Sequence, residues 1–68
     1  MKLSARNVLK GKITKVTRGA TTAHILIDVG GTTITASITN EAADDLKLKE
    51  GMEASAIIKS SDVMVGVH

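Results

Sequence analysis

Apolar and polar residues alternate with a period of two along most of this chain. That period is typical of β-strands that bury one face. Five runs carry it and predict strands at residues 7–16, 22–29, 32–39, 54–59 and 63–67. Between the second and third runs, Gly30-Gly31 is a strong signal for a two-residue hairpin turn. In the less regular first run, Gly11 indicates a bulge or a sharp bend.

One segment, between residues 40 and 48, departs from the alternation. Thr39 or Asn40 can cap a helix there, acidic residues occupy its early turns, and alanines give it an apolar side. The pattern predicts one short helix between strands three and four. Five short strands with a helix at that position describe an all-β, OB-like five-stranded barrel. Residues 1–68 are predicted to form a single domain.

The composition limits how stable one copy of this chain can be. The 68 residues include no aromatic residue, no Cys and no Pro. Ordering costs about 1.5 kcal/mol per residue, and a small aliphatic core leaves little surplus against that cost. Some outward positions of the predicted strands are nevertheless apolar, namely Leu26, Ile57 and Met64. These residues favour contacts between subunits, so we expect a homo-oligomer.

Charge and hydropathy narrow the set of partners. No segment approaches the roughly 20 apolar residues of a membrane span, and no signal-peptide core is found. The net charge is only +2, with the two signs interleaved along the chain. The sequence therefore predicts a soluble, cytoplasmic protein with no membrane partner. The absence of Cys agrees with a reducing compartment.

An OB-like barrel raises the question of single-stranded nucleic acid. That function needs aromatic platforms on which bases stack, and the chain has none. Four basic residues could contact phosphates, but they are more simply explained as a solvated strand edge: Lys10, Lys12, Lys15 and Arg18. We therefore expect no nucleic-acid partner.

The sequence predicts neither a bare metal cation nor a catalytic group. His24 and His68 are the only histidines and no Cys is present, so a transition-metal site is not expected. Asp44 and Asp45 are adjacent in the predicted helix and do not face each other. No Ser has the His and acid pattern of a nucleophile. We expect a protein that is not an enzyme.

Two short clusters carry the candidate chemistry: Ser4-Ala5-Arg6-Asn7 and Lys59-Ser60-Ser61. Each joins a cation to small hydroxyl residues without a carboxylate. A deprotonated tetrahedral oxyanion accepts hydrogen bonds and donates none, so this residue set suits it. Thr39 could add a hydroxyl where the third strand meets the helix. The alternative is that Arg6 and Lys59 are solvated charges at two strand ends.

The same residues resemble the molbindins, small molybdate-binding proteins made of a single Mop domain. The resemblance rests on four stretches that span the chain: Ser4–Asn7, Leu9–Lys12, Leu48–Gly51 and Ala56–Val65. It implies an OB-like fold assembled as a hexamer, a trimer of dimers, with oxyanion sites at subunit interfaces.

The resemblance also implies which residues bind the ligand. The oxyanion-binding positions are Ser4, Ala5, Arg6, Thr39, Lys59 and Ser60. The family often has a second hydroxyl three residues after Thr39, where this chain has Ala42. A second class of site, built largely from backbone N–H groups, is expected at Gly19, Ala20 and Thr21.

The sequence thus predicts a protein that binds molybdate or tungstate for intracellular storage or homeostasis. Near pH 7 phosphate retains a proton that needs an acceptor, whereas molybdate is fully ionised and suits donors alone. The alternative is a regulatory or assembly module that docks on a transporter or regulator, with the oxyanion as its signal. A nucleic-acid-binding OB domain is the third hypothesis.

Overall fold

The computed structural model describes residues 2–68; Met1, the first residue of the predicted domain, lies outside that range. Four antiparallel strands form one curled sheet with the order β3-β2-β1-β4. Its elements are β1 (Asn7–Arg18), β2 (Thr22–Val29), β3 (Thr32–Thr39), helix α1 (Asn40–Asp45), β4 (Glu53–Ile58) and a 3-10 turn (Ser60–Asp62). The all-β prediction and the position of the helix are confirmed. None of the helices in the described range is long and apolar enough to cross a membrane.

Strand β1 lies between β4 and β2 and pairs with each of them along a different half of its length. Its first half pairs with β4 and its second half with β2, and Lys12 belongs to both ladders. The bulge is not at Gly11, as predicted, but at Thr14, where the register with β2 shifts. Gly11 instead allows the backbone of β1 to lie close to β2. A Cβ at this position would lie 2.8 Å from Val29 Cγ1 and 2.9 Å from Ile27 Cγ2. Only a residue without a side chain lets β1 cross β2 at this distance.

The β2–β3 hairpin follows the sequence prediction. Gly30 and Gly31 have φ values of 66° and 92° and connect Val29 to Thr32. Two consecutive positive φ values define the type I′ turn, whose twist matches that of the flanking strands. The Gly31 N–H also donates to Asp28 Oδ1 at 3.1 Å. The turn chemistry therefore fixes the register of this hairpin.

Helix α1 is held at both of its ends. The Thr39 hydroxyl oxygen accepts a hydrogen bond from the Ala42 N–H at 3.0 Å, which makes Thr39 the N-cap. At the other end, the Leu48 N–H donates to Ala43 O and the Lys47 N–H to Asp44 O. This pair of bonds is a Schellman motif, and it requires left-handed backbone at Lys47, where φ is 54°. The helix thus forms the first part of the connection from β3 to β4.

The hydrophobic core is small. It contains three isoleucines and three alanines that are buried: Ile13, Ala23, Ile25, Ile27, Ala43 and Ala56. Half-buried aliphatic residues of β3, β4 and the segment before β4 pack against them. Ile13 also anchors that segment, because its N–H donates to Met52 O and its carbonyl accepts from the Gly51 N–H.

The predicted fifth strand, residues 63–67, is wrong. The segment is irregular, and Met64 is 94% exposed. Alternation shows which face a strand would bury, but a strand also needs a neighbouring edge for its hydrogen bonds. In this chain the segment follows a 3-10 turn and pairs with neither edge strand.

The barrel is open where that strand was expected. The edges β3 and β4 face each other across a groove of about 530 Å³, lined on the inner side by Ile34, Ala36, Ile38, Ala56 and Ile58. An apolar cavity of about 290 Å³ lies between the core and residues Leu46, Leu48 and Met52. One copy of the chain therefore leaves two strand edges and part of its core uncovered.

Candidate oxyanion-binding site

The two clusters singled out in the sequence meet at one end of the sheet. Asn7 of β1 pairs with Ile58 of β4, and the Asn7 side chain donates from Nδ2 to the Ile58 carbonyl at 3.1 Å. Arg6 and Lys59 occupy the next position outward on each strand. Residues 53 positions apart in sequence are thus placed side by side.

The charged and hydroxyl side chains of the two clusters are exposed and have no ion-pair or hydrogen-bond partner within residues 2–68. The ion pair found in that range joins Arg18 to Asp44, so Arg6 and Lys59 have no carboxylate partner there. Ser4 and Ser60 are also exposed, and their hydroxyls make no hydrogen bond in the described range. Ala5, between Ser4 and Arg6, is half-buried. We call Ser4–Arg6 with Lys59 and Ser60 the basic end.

Thr39 lies at the opposite end of the sheet. It pairs with Thr22, whereas Arg6 precedes the start of β1. The two ends therefore lie at opposite ends of β1, in a molecule whose longest dimension is 34 Å. The Thr39 hydroxyl oxygen accepts from Ala42, so its hydrogen remains available to a ligand. One chain therefore does not bring Thr39 to Arg6 and Lys59.

The turn proposed for the second site lies beside Thr39. Asn40, the next residue, donates its backbone N–H to Thr21 O at 2.9 Å and its side-chain Nδ2 to Gly19 O at 3.0 Å. The Gly19 N–H donates to Thr22 O at 2.8 Å and is already used. Ala20 and Thr21 keep N–H groups that make no hydrogen bond within residues 2–68. We call Gly19–Thr21 with Thr39 and Asn40 the amide end.

Two features of the site were not identified from the sequence. The sequence predicts Asn40 as a helix cap and Asn7 as part of a motif, and neither as a side chain that links two segments. Each is an asparagine at a strand terminus whose amide reaches a carbonyl of a neighbouring segment. Their position next to predicted strand ends was the available signal, because a side-chain amide can replace a missing ladder bond there.

The remaining candidate residues, which are three lysines and His24, do not form a further site within residues 2–68. Lys10, Lys12 and Lys15 are exposed as predicted, but they do not form a strand edge, because β1 lies between β2 and β4 in the sheet. His24 is exposed on the outer face of β2, between Thr17 and Ser37 of the neighbouring strands. Within residues 2–68 no three His, Cys, Asp or Glu side chains cluster in a way that could hold a metal ion.

Comparison with known proteins places this chain in a family. The family model described as the TOBE domain matches residues 3–65. A protein of Haemophilus influenzae described as a probable molybdenum-pterin-binding protein is 48% identical over 69 residues, covering all of both chains. The chain therefore belongs to the TOBE-domain family, among the molybdenum-pterin-binding proteins, and the resemblance to the molbindins is confirmed.

Solved structures agree with this assignment. A molybdate-binding protein from Sporomusa ovata is 33% identical, with a TM-score of 0.95 over 98% of this chain and 100% of that one. The cytoplasmic molybdate-binding protein ModG, in a crystal form with molybdate bound, is 45% identical with a TM-score of 0.95. That match covers all of this chain and 49% of ModG. The curled sheet with its short helix is thus the fold of known molybdate-binding proteins.

Proposed function

We propose that this chain binds molybdate or tungstate as intact oxyanions and serves intracellular molybdenum storage or homeostasis without catalysis. The observation that carries the proposal is the side-by-side placement of Arg6 and Lys59, without a carboxylate partner in the described range, next to the free hydroxyls of Ser4 and Ser60. The names of the relatives support molybdate as the ligand. The ModG description supports a cytoplasmic location.

The donor set favours a fully ionised oxyanion. Arg and Lys supply charge, while hydroxyls and backbone amides supply directional hydrogen bonds. Near pH 7 phosphate retains a proton that would face these donors without an acceptor. Sulfate is ionised as molybdate is, so its rejection depends on the size of the assembled site rather than on protonation.

Several copies of the chain are needed to complete this site. The accessible surface of one copy is 5387 Å². A folded monomer of 7.1 kDa is expected to expose only about 4,100 Å². The excess agrees with the open groove between β3 and β4 and with the exposed apolar residues near the basic end, Leu3, Val8, Leu9, Ile57 and Val63.

In this proposal residues 63–67 of a second copy enter the groove and pair with a free strand edge. Their alternating valines match the apolar lining of the groove. The exchange closes the barrel and allows the basic end of one copy to approach the amide end of another. The family resemblance supplies the number of copies, a hexamer arranged as a trimer of dimers. No nucleic acid or membrane takes part.

Calorimetric titration with molybdate tests the proposal. Arg6→Ala and Lys59→Ala should each weaken molybdate binding by about one to two orders of magnitude, since a charge-assisted hydrogen bond contributes roughly 1.5–3 kcal/mol. Lys15→Ala is the matched control, because Lys15 is an exposed cation away from both ends. Phosphate at equal concentration should bind weakly. If both variants bind molybdate as Lys15→Ala does, the basic end is not the site.

A regulatory or assembly module remains the second candidate function. The observation that favours it is the free apolar groove, which a transporter or regulator could occupy in place of another copy. Native mass spectrometry with and without molybdate separates the two functions. A homo-oligomer that takes up anions supports storage, whereas a monomer that assembles only with a partner protein supports the module.

A further inference from the structure

Asn40 ties the β1–β2 turn to the start of α1 through two hydrogen bonds. Its backbone N–H donates to Thr21 O at 2.9 Å, and its Nδ2 donates to Gly19 O at 3.0 Å. Two of the three carbonyls of the turn, those of Gly19 and Thr21, are therefore directed at one residue. This arrangement decides which polar groups the turn presents to solvent.

The carbonyl contacts set the direction of the neighbouring amides. A trans peptide points its C=O and N–H in opposite directions. Because the Gly19 carbonyl points at Asn40, the Ala20 N–H of the same peptide points away from Asn40. Ala20 is exposed, and its N–H has no acceptor within residues 2–68. The turn therefore presents a donor at the amide end, where the Thr39 hydroxyl hydrogen is also free within residues 2–68.

The Asn40 side chain is directed at the turn. One hydrogen of its Nδ2 is donated to Gly19 O, and its Oδ1 is buried with no hydrogen-bond partner in the described part of the chain. A deprotonated oxyanion has no proton to satisfy that acceptor, so Oδ1 is not a ligand atom. The contact that the structure shows for this side chain is with the Gly19 carbonyl, so its effect on a ligand is expected to act through the turn.

We propose that Asn40 is a positioning residue of the oxyanion site, which holds the β1–β2 turn so that Ala20 and Thr21 offer their N–H groups to a ligand at the amide end. The proposal rests on the proposed function. Without the Asn40 side chain, the Gly19 carbonyl loses its donor and the peptide is free to rotate. Rotation would replace an N–H donor by a carbonyl oxygen, which repels an anion.

The test uses Asn40→Ala in the full-length chain, with molybdate as the probe. In the wild type, molybdate should shift the amide NMR signals of Ala20 and Thr21. In Asn40→Ala those two shifts should be lost and the affinity should fall about tenfold, while native mass spectrometry shows the wild-type oligomer. A purely structural role would not remove the shifts of two amides from an intact assembly.

Arg18→Met is the matched control. The ion pair between Arg18 Nη2 and Asp44 Oδ1, 2.8 Å long, also links the end of β1 to α1, but it holds no peptide of the turn. This variant should keep both amide shifts and the wild-type affinity. Asn40→Ser, whose side chain is too short to reach Gly19 and which suits a helix start, is the second variant and should behave as Asn40→Ala does.

Each outcome decides the matter. Wild-type affinity with both amide shifts in Asn40→Ala or Asn40→Ser overturns the positioning role and leaves the proposed function standing. Loss of assembly in both variants assigns Asn40 a structural role and also overturns the inference. Absence of any molybdate response in the wild type overturns the proposed function and this inference together.

Discussion

The basic end and the amide end offer polar groups to a ligand in different ways. At the basic end, Arg6 and Lys59 carry full charges on long, exposed side chains that no hydrogen bond fixes within residues 2–68. At the amide end the groups are neutral, and hydrogen bonds from Asn40 and Ala42 hold the turn and the Thr39 hydroxyl in place. One end supplies charge and the other supplies fixed geometry.

In the proposed site, this difference gives the two ends different contributions to binding. Charges act over several ångströms and raise affinity for any anion, but salt screens them. Fixed neutral donors act only at hydrogen-bond distance and favour an anion of matching size and proton content. A site that joins the two would obtain affinity from Arg6 and Lys59 and selectivity from Thr39 and the turn.

We expect the largest effect on molybdate binding from a substitution that stops two copies of the chain from bringing the basic end and the amide end together. Val65→Asp would place a carboxylate in the apolar groove between β3 and β4 if residues 63–67 of a second copy occupy it. Burying an unpaired charge costs several kcal/mol, so the oligomer should dissociate and molybdate binding should disappear. Sedimentation velocity measures this directly, and Val65→Thr is the milder control. An intact Val65→Asp oligomer would disprove the exchanged segment.

Thr39→Asp separates the capping role of Thr39 from its role as a donor. Asp is as good an N-cap as Thr, so α1 and the thermal stability should be retained. Its carboxylate has no hydrogen to donate and repels a dianion, so molybdate affinity should fall on the order of 100-fold. Calorimetry on Thr39→Asp and on Thr39→Ser, which keeps both roles, gives the comparison. Equal affinity of the two variants would remove Thr39 from the site.

Salt should distinguish the ends without a change in the fold. Raising sodium chloride from about 0.1 M to about 1 M shortens the Debye length from about 10 Å to about 3 Å. The wild type should lose molybdate affinity steeply, and Arg6→Ala should lose less because one screened charge is already gone. Titrations at four salt concentrations give both slopes. Parallel slopes would mean that Arg6 does not act through its charge.

Lys47→Gly should produce the smallest effect, on stability alone. Lys47 has φ of 54° at the end of α1, a conformation that costs a residue with a Cβ about 1 kcal/mol. Glycine should therefore raise the free energy of unfolding by roughly 0.5–1 kcal/mol. Chemical denaturation measures the gain, and molybdate affinity should not change, because Lys47 belongs to neither end.

Local features of the fold could be predicted from the sequence. Gly30-Gly31 defines its own turn, and Thr39 caps the helix that follows it, so both depend on residues close together in the chain. Non-local features were harder to predict. Nothing in Thr14 marks a bulge, because the bulge arises from fitting β1 to two neighbours at once.

Predictions about the site show the same difference between local and non-local features. Residue types alone indicated donors for an anion, but the adjacency of Arg6 and Lys59 depends on the pairing of β1 with β4, and the family resemblance supplied it. The fifth strand was predicted wrongly because alternation contains no information about whether a strand edge is available for pairing. The separation of Thr39 from Arg6 likewise becomes visible only once the strand directions are known.

The double pairing of β1 has a consequence for the order of folding. Its pairing with β2 closes a short turn, whereas the pair of Asn7 with Ile58 joins residues 51 positions apart. Closing the longer loop costs more chain entropy, so the basic end is expected to form late, after the transition state. Contacts absent from the transition state affect unfolding rather than folding. In stopped-flow experiments molybdate should therefore slow unfolding and leave the refolding rate unchanged. Bound ligand would then increase the kinetic stability of the folded chain.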